Sequence, residues 1–532
     1  MKRILATVFL CSVITLFAVA PNRGKERLRE LAVFPNVEVS VSVDLNFHSS
    51  VAEVEEEASV PERIVNLRSQ LKSSGDDIRM QIQLGQLLNQ NKETNAANAC
   101  FQKAEQLCRK KAEARQQDGL VLTDLGDALL GLGRREEAES NYRRATLVSS
   151  NAWKCWASLG SFLDSSSLDL LIPDGLRLSP DSLTPGILDF RPSADALKHS
   201  EELHDEAARC LDRAVTLSPK EADALLQRAA YHRRSEIANT LVRQFRNVEK
   251  LDSARLRSAF FSPAAVPDIK RASRLVPKSY RLIGVAAWFE WASTASLTES
   301  GFTENAPGTL SERTRESVRD AMTRLEDLAQ DGDKKVAAGA LETLASLKLL
   351  ISGDLSGSTA DLRQAVAFDP TREQCWEMLL SCFVKSGSPE ELVGFCETRL
   401  KHQDCARNHL RLSKALARQE QWNKAAEQAD AAIKLETNNV PAHLMAVALA
   451  IRSGGETNSP SATKWHLATV SERLKAMPRD EEWSARRREF TLNCAIISGL
   501  VGEVKTSKEL LDHVLEENPN DEVAKKILAA LQ

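Results

Sequence analysis

One recurring spacing constrains this chain more than any other feature. Leu125-Gly126 is followed by Ala138, Tyr142 and Ala145, and Leu84-Gly85 is followed at the same offsets by Ala97, Phe101 and Ala104. Trp156, Leu159 and Gly160 begin a third copy, and Trp153 lies 34 residues after Gly119. A period of that length with small and aromatic residues at fixed places points to stacked pairs of helices. Such a chain buries apolar faces between neighbours and has no single central core. The length of 532 residues therefore does not imply three or four separate domains.

Composition agrees. Hydrophobic residues make up 42% of the chain but aromatic residues only 5%, so alanine and leucine carry the packing and helices approach closely. The formal net charge of −4 offers no global basic field to draw in nucleic acid.

Second helices end in a common pattern: Leu211, Ala214, Pro219; Ile269, Ala272, Pro277; and Leu362, Ala365, Pro370. Ala425, Ala429 and Ala432 keep the spacing and end in Thr437 instead. Alanine at a crossing lets two backbones approach, and proline stops a helix. On these residues the chain resembles the tetratricopeptide repeat proteins. The resemblance implies an all-α fold, an α-solenoid in which helix-turn-helix units of helices A and B stack into a right-handed superhelix. It also implies binding of proteins in the concave groove, without catalysis or a cofactor. Units begin near Ile78, Gly119, Trp153, Ala222, Tyr280, Gly339, Glu373, Ala406, Val440 and Arg488, and Glu522 to Leu531 reads as a polar capping helix.

The expected organisation has four parts. Residues 1–22 are a signal peptide or an N-terminal membrane anchor, because Lys2 and Arg3 precede an apolar run over 4–20 that ends in Ala18-Val19-Ala20. As a helix that run is ~26 Å long, just short of a ~30 Å bilayer core. Pro21 argues against cleavage. Residues 23–60 are a linker whose alternation over 37–47 is a strand signal. It is either an unstructured spacer or a docking strand. Residues 61–292 form a first lobe with an insertion over about 164–200. The polar break at 293–310 leads to a second lobe, 311–532. This places the array outside the cytoplasm, exported or membrane-anchored, on the periplasmic side. Membrane contact would run only through segment 4–20. Beyond Cys11 nine cysteines remain with no CxxC pair, and they read as small core residues.

Chemistry-bearing constellations are weak. His199, Glu202 and His204 imitate a metalloprotease helix, but histidines five apart diverge by about 140° around the axis, so no metal site is expected. No nucleophile elbow or phosphate loop is present, so the chain reads as no enzyme. Carried over position by position, the resemblance puts Arg79, Gln86, Asn89 and Gln90 of the first unit on the groove, with Thr123 and Asp127 of the second and Lys154, Ser161 and Asp164 of the third. Relatives that clamp the acidic tail of a heat-shock chaperone use Lys and Asn in the first two units. Here Ile82, Gln86 and Asp124 take those places, so that clamp is not matched.

The eighth unit differs. Arg407, Arg411, Lys414 and Arg418 recur at helical spacing on one stripe beside Leu412 and Leu416. The stripe is either a solvated face or a seat for an acidic peptide or carboxylate tail. Arg228, Arg233, Arg234, Arg243 and Arg246 are interleaved with Glu236 and Glu249 and lack aromatic stacking partners, so they read as a solvated face. The expected function is a non-enzymatic scaffold that binds a partner peptide or helix. The alternatives are an accessory subunit of an envelope-associated enzyme or secretion complex, and a nucleic-acid-binding repeat protein.

Overall fold

A computed structural model describes residues 60–531, apart from 75, 115–117, 172–177, 180–181, 184–191, 248–260, 295–296, 299–300, 303–310, 387, 453–464, 467, 471, 473, 475–480 and 501–502. The expected leader or anchor and the strand signal at 37–47 lie outside these residues. Among the described residues no helix is long and apolar enough to cross a membrane. The chain divides into two compact units between Asp354 and Leu355.

The unit before Asp354 opens with α1 (Val60–Ser74) and continues as antiparallel helix pairs. These are α2 (Ile78–Gln90) with α3 (Thr94–Ala114), α4 (Gly119–Gly131) with α5 (Arg135–Val148), and α6 (Trp153–Leu171) with α7 (Ala194–Leu217). Then follow α8 (Ala222–Asn247) with α9 (Val266–Leu275), α10 (Tyr280–Thr294) with α11 (Glu312–Leu328), and α12 (Lys334–Leu347). The unit after Leu355 holds α13 (Leu355–Phe368), α14 (Glu373–Ser386), α15 (Pro389–His402), α16 (Ala406–Arg418), α17 (Trp422–Leu435) and α18 (Val440–Arg452). It closes with α19 (Glu481–Leu500), α20 (Val504–Glu517) and α21 (Glu522–Ala530). Eight of the ten expected unit starts are the first residue of a helix; Gly339 and Arg488 fall inside α12 and α19. Two-residue strand pairings, Leu178–Ser179 with Ser182–Leu183 and Leu297–Thr298 with Gly301–Phe302, sit in the two long breaks.

The opening motif has a direct physical reading. A Cβ at Gly126 would stand 2.6 Å from the Tyr142 ring, and one at Gly85 2.7 Å from the Phe101 ring. Only glycine lets the aromatic residue of helix B lie flat on the backbone of helix A. Tyr142 and Phe101 are each 1% exposed, and Ala97, Ala104, Ala138 and Ala145 are fully buried at the same crossings.

The turn between helices A and B is also repeated. The amides of Glu93, Arg134, Gln421 and Glu503 donate to the carbonyls of Leu88, Leu129, Leu416 and Ser498, five residues back in each case. This closure needs a left-handed residue just before it, as in a Schellman ending. Gly133 (φ 77°) supplies one at no cost, whereas Lys92 (φ 63°) and Glu420 (φ 57°) bear the strain of a side chain there. Asp77, Asp118, Ser193, Ser311, Asp333, Ser388 and Asp521 cap the helices that follow them.

Two expectations on organisation differ from what is seen. The insertion after the third A helix is shorter than residues 164–200, because α6 runs on to Leu171 and α7 starts at Ala194. Ser167 and Ser200 explain this: each hydroxyl donates to the other residue's carbonyl at 2.9 Å, fastening α6 to α7 inside a buried contact. The break at 293–310 also does not divide the compact units. Tyr280, Ile283 and Ala287 of α10 share one core with Ala321 and Leu325 of α11 and with Leu344 of α12. The nine described cysteines are free thiols, seven of them buried.

Candidate functional site

On α16 the four cations of the stripe have different fates. Arg407 and Arg418 are exposed at the two ends of the helix. Lys414 is only 6% exposed. Arg411 reaches back to the preceding pair of helices, where its guanidinium donates to Glu377 Oε2 of α14 at 2.7 Å. That carboxylate is nearly buried and its other oxygen has no hydrogen-bond partner. Arg411 and Glu377 are 34 residues apart, one repeat length, so this ion pair stitches consecutive units. A cation stripe was legible in the sequence, but its internal counter-charge was not. A carboxylate on a different helix becomes a partner only once the stacking is known.

The groove positions of the first three units also separate. Gln86, Asn89 and Gln90 are exposed on the last turns of α2. Arg79 pairs with Asp124 of α4 at 3.3 Å. Asp127 accepts a hydrogen bond from the Tyr142 hydroxyl at 2.6 Å. Burial pushes the Asp127 carboxyl up to about 7, against the pull of Tyr142 and with some help from Asp124. Burial raises the Asp124 carboxyl too. Arg79, Asp124 and Asp127 thus form one partly buried acidic patch, not independent contact points. Thr123 is buried and donates to the Gly119 carbonyl at 2.9 Å.

Asp164 is not on the surface at all. It is 0% exposed and accepts from Arg234 Nε of α8. Its other oxygen, Oδ1, stands 3.8 Å from His204 Nδ1 of α7, and neither atom has a hydrogen-bond partner. His204 Nε2 lies 2.7 Å from the Ser235 hydroxyl and 2.9 Å from that of Tyr231, whose ring stacks on the imidazole at 4.6 Å. Burial pushes Asp164 up to about 6, opposed by Arg234, and lowers His204. Aspartate, histidine and serine in line is an arrangement that activates a hydroxyl. Here Ser235 sits in the middle of α8, whose backbone amides are already used in the helix, so no amide pair awaits an oxyanion. The cluster is a polar fastening between the third and fourth pairs.

The basic stretch of α8 is absorbed in the same way. Arg228 grips Asp268 through two bonds of 2.7 Å and also reaches Asp212 at 2.8 Å. Burial lowers Arg233 to about 10, with a contribution from Arg234. Among the described residues no group of His, Cys, Asp and Glu is arranged to hold a metal ion.

Antiparallel helix pairs stacked one after another, four of them closed by the same turn, define an α-solenoid. Residues 121–151, which cover the α4–α5 pair, match the family model described as tetratricopeptide repeat. That pair is a tetratricopeptide repeat. Similar solved structures include yeast Tom70 (11% identity, TM-score 0.33, 89% of this chain and 96% of that one). Another is the C-terminal part of a TPR repeat-containing protein from Cytophaga hutchinsonii (13% identity, TM-score 0.35, 50% and 93%). A third is YrrB, described as a TPR protein with an unusual peptide-binding site (15% identity, TM-score 0.28, 38% and 95%). At these scores the likeness transfers no function. No curated protein matches the chain. The repeat fold suggests a protein-interaction scaffold.

Proposed function

We propose that the chain is a non-enzymatic scaffold that holds a partner peptide or helix against the exposed side chains of its A helices. The observation that carries this reading is a division of labour on those helices. On α16, Leu410, Leu412 and Leu416 are buried in packing and Arg411 is held by Glu377, while Arg407 and Arg418 remain exposed. On α2, Leu84, Leu87 and Leu88 are buried while Gln86, Asn89 and Gln90 remain exposed. Two cations about three turns apart favour a partner with spaced carboxylates, and the amides of α2 suit an extended backbone. We further propose that the scaffold works outside the cytoplasm, as Lys2, Arg3 and the apolar run over 4–20 suggest, in an envelope assembly.

Charge reversal tests the acidic-partner component. Arg407→Glu with Arg418→Glu should lower partner recovery at least tenfold, and the unfolding midpoint of the double variant checks that the fold survives. Unchanged recovery by the folded double variant would sink the acidic-partner reading. Arg411 must stay intact in this experiment. Its removal would strand the buried Glu377 carboxylate and confuse loss of binding with loss of fold.

A further inference from the structure

The two compact units meet inside what the repeat pattern makes a single helix pair. Gly339 marks α12 as a first helix, and the ending Leu362, Ala365, Pro370 marks α13 as its second. In α2, α4 and α6 the motif glycine faces the second helix of its own pair: Gly85 meets Phe101, Gly126 meets Tyr142 and Gly160 meets Leu211. Gly339 departs from that rule. A Cβ there would run into the Tyr280 ring of α10, and one at Gly284 of α10 would run into Thr343 of α12. α12 is thus fastened backwards, and its Leu344 and Leu347 complete a core with α10 and α11. α13 is fastened forwards: Arg363 lies over the Phe383 ring of α14 at 5.2 Å and pairs with Glu391 of α15 at 3.6 Å.

The connection between α12 and α13 also differs from the other turns. α12 runs out into one π turn, Lys348–Ser352, and Gly353 follows at φ 65°. The Asp354 amide donates to the Lys348 carbonyl at 3.1 Å, six residues back, where the four repeated turns close over five. The wider ring is a locally underwound helix end. Nothing lies within 4 Å of a Cβ at Gly353, so beyond its chain neighbours no group leans on that side of the backbone. Glycine takes positive and negative φ about equally, so its torsions turn at little steric cost. Hinges are built from a few residues of this kind at the ends of elements.

We propose that Lys348–Asp354 is a hinge at which the two compact units turn against each other, with Gly353 as its pivot. Units of one chain move unless a large apolar contact locks them. In the regular pairs the motif glycine and its bulky partner supply that lock between first and second helix, whereas α12 gives the contact to α10. Turning at Gly353 therefore breaks no glycine–aromatic packing. One consequence rests on the scaffold reading, although the hinge itself does not. The exposed residues of α2 and those of α16 act as two binding modules whose spacing adapts to the partner.

The test uses the full chain with pairs of spin labels carried on unnatural amino acids, because the native free thiols would compete for a cysteine reagent. Arg271 and Lys335 are exposed positions before the hinge, and Gln364 and Lys424 are exposed positions after it. Electron–electron distance measurement needs no partner, so it reads the hinge apart from the scaffold reading. The Arg271–Lys424 distribution should be about twice as wide as those of Arg271–Lys335 and Gln364–Lys424, each of which stays on one side. Gly353→Val places a β-branched side chain at a positive φ that it tolerates poorly. In that variant the Arg271–Lys424 distribution should shift or narrow, while the two one-sided pairs stay as they are and report that each unit is folded. An Arg271–Lys424 distribution as narrow as the one-sided pairs in the unsubstituted chain would overturn the proposal. So would a folded Gly353→Val chain whose three distributions all match those of the unsubstituted chain, since the pivot would then lie elsewhere.

Discussion

Replacing Arg234 by methionine should destabilise the unit before Asp354 by about 3–5 kcal/mol, a large share of what holds any domain together. The reason is Asp164. It is 0% exposed, and Arg234 supplies the one hydrogen bond its carboxylate receives among the described residues. Removing the cation leaves a buried charge with nothing but a histidine 3.8 Å away. The loss should depend on pH. Burial already lifts the Asp164 carboxyl from its ordinary value near 3.8 to about 6, and without Arg234 it moves higher still. A carboxyl with a raised folded pKa takes up its proton more readily in the folded state. Stability therefore falls as pH rises through the folded pKa and recovers as pH drops towards the unfolded value. Urea unfolding of Arg234→Met should show its full penalty at pH 8 and a smaller one near pH 5. Adding Asp164→Leu should restore most of the stability, since an apolar pair of similar bulk replaces the charges. A penalty below ~1 kcal/mol at pH 8, or one that grows on acidification, would show that Asp164 is not sealed by Arg234.

The second large effect concerns the spacing that marks the repeats. Gly126→Ala should cost about 1–3 kcal/mol despite the better helix propensity of alanine. The added Cβ would meet the Tyr142 ring at 2.6 Å, and that ring cannot swing aside because it is 1% exposed and tethered to Asp127 through its hydroxyl. Gly394 in α15 is the matched control. Nothing lies within 4 Å of a Cβ there, so Gly394→Ala should gain about 0.5–1 kcal/mol. Opposite signs in thermal unfolding would tie the Leu-Gly…Tyr pattern to packing. A neutral or stabilising Gly126→Ala would mean that the glycine serves some other purpose.

These two cases also show how much of the fold is legible in the chain and where legibility ends. The Gly126–Tyr142 contact joins helices of one pair, its residues are sixteen apart, and the repeat of that offset at Gly85–Phe101 exposes it. Hence the helix starts at Ile78, Gly119, Trp153 and Ala406 could be read directly. The Asp164–Arg234 contact spans 70 residues and crosses between pairs, with no periodic copy to reveal it. For that reason Asp164 looked like a groove residue. The same limit applies to Arg411, whose partner Glu377 lies on another helix. Surface stripes can be inferred from phase alone, whereas the counter-charges that switch them off depend on the stack.

The scaffold reading is tested most directly by photo-crosslinking in the native compartment. A benzophenone side chain would be placed singly at Gln86, Asn89 or Arg407 on A helices, and at Gln102 or Lys424, exposed positions of the B helices α3 and α17. The expected result is a discrete protein adduct from the A-helix positions and none from the B-helix controls. Adducts of equal yield from both sets, or none from any A-helix position of a folded chain, would contradict the claim that the A-helix surface is where this protein holds its partner.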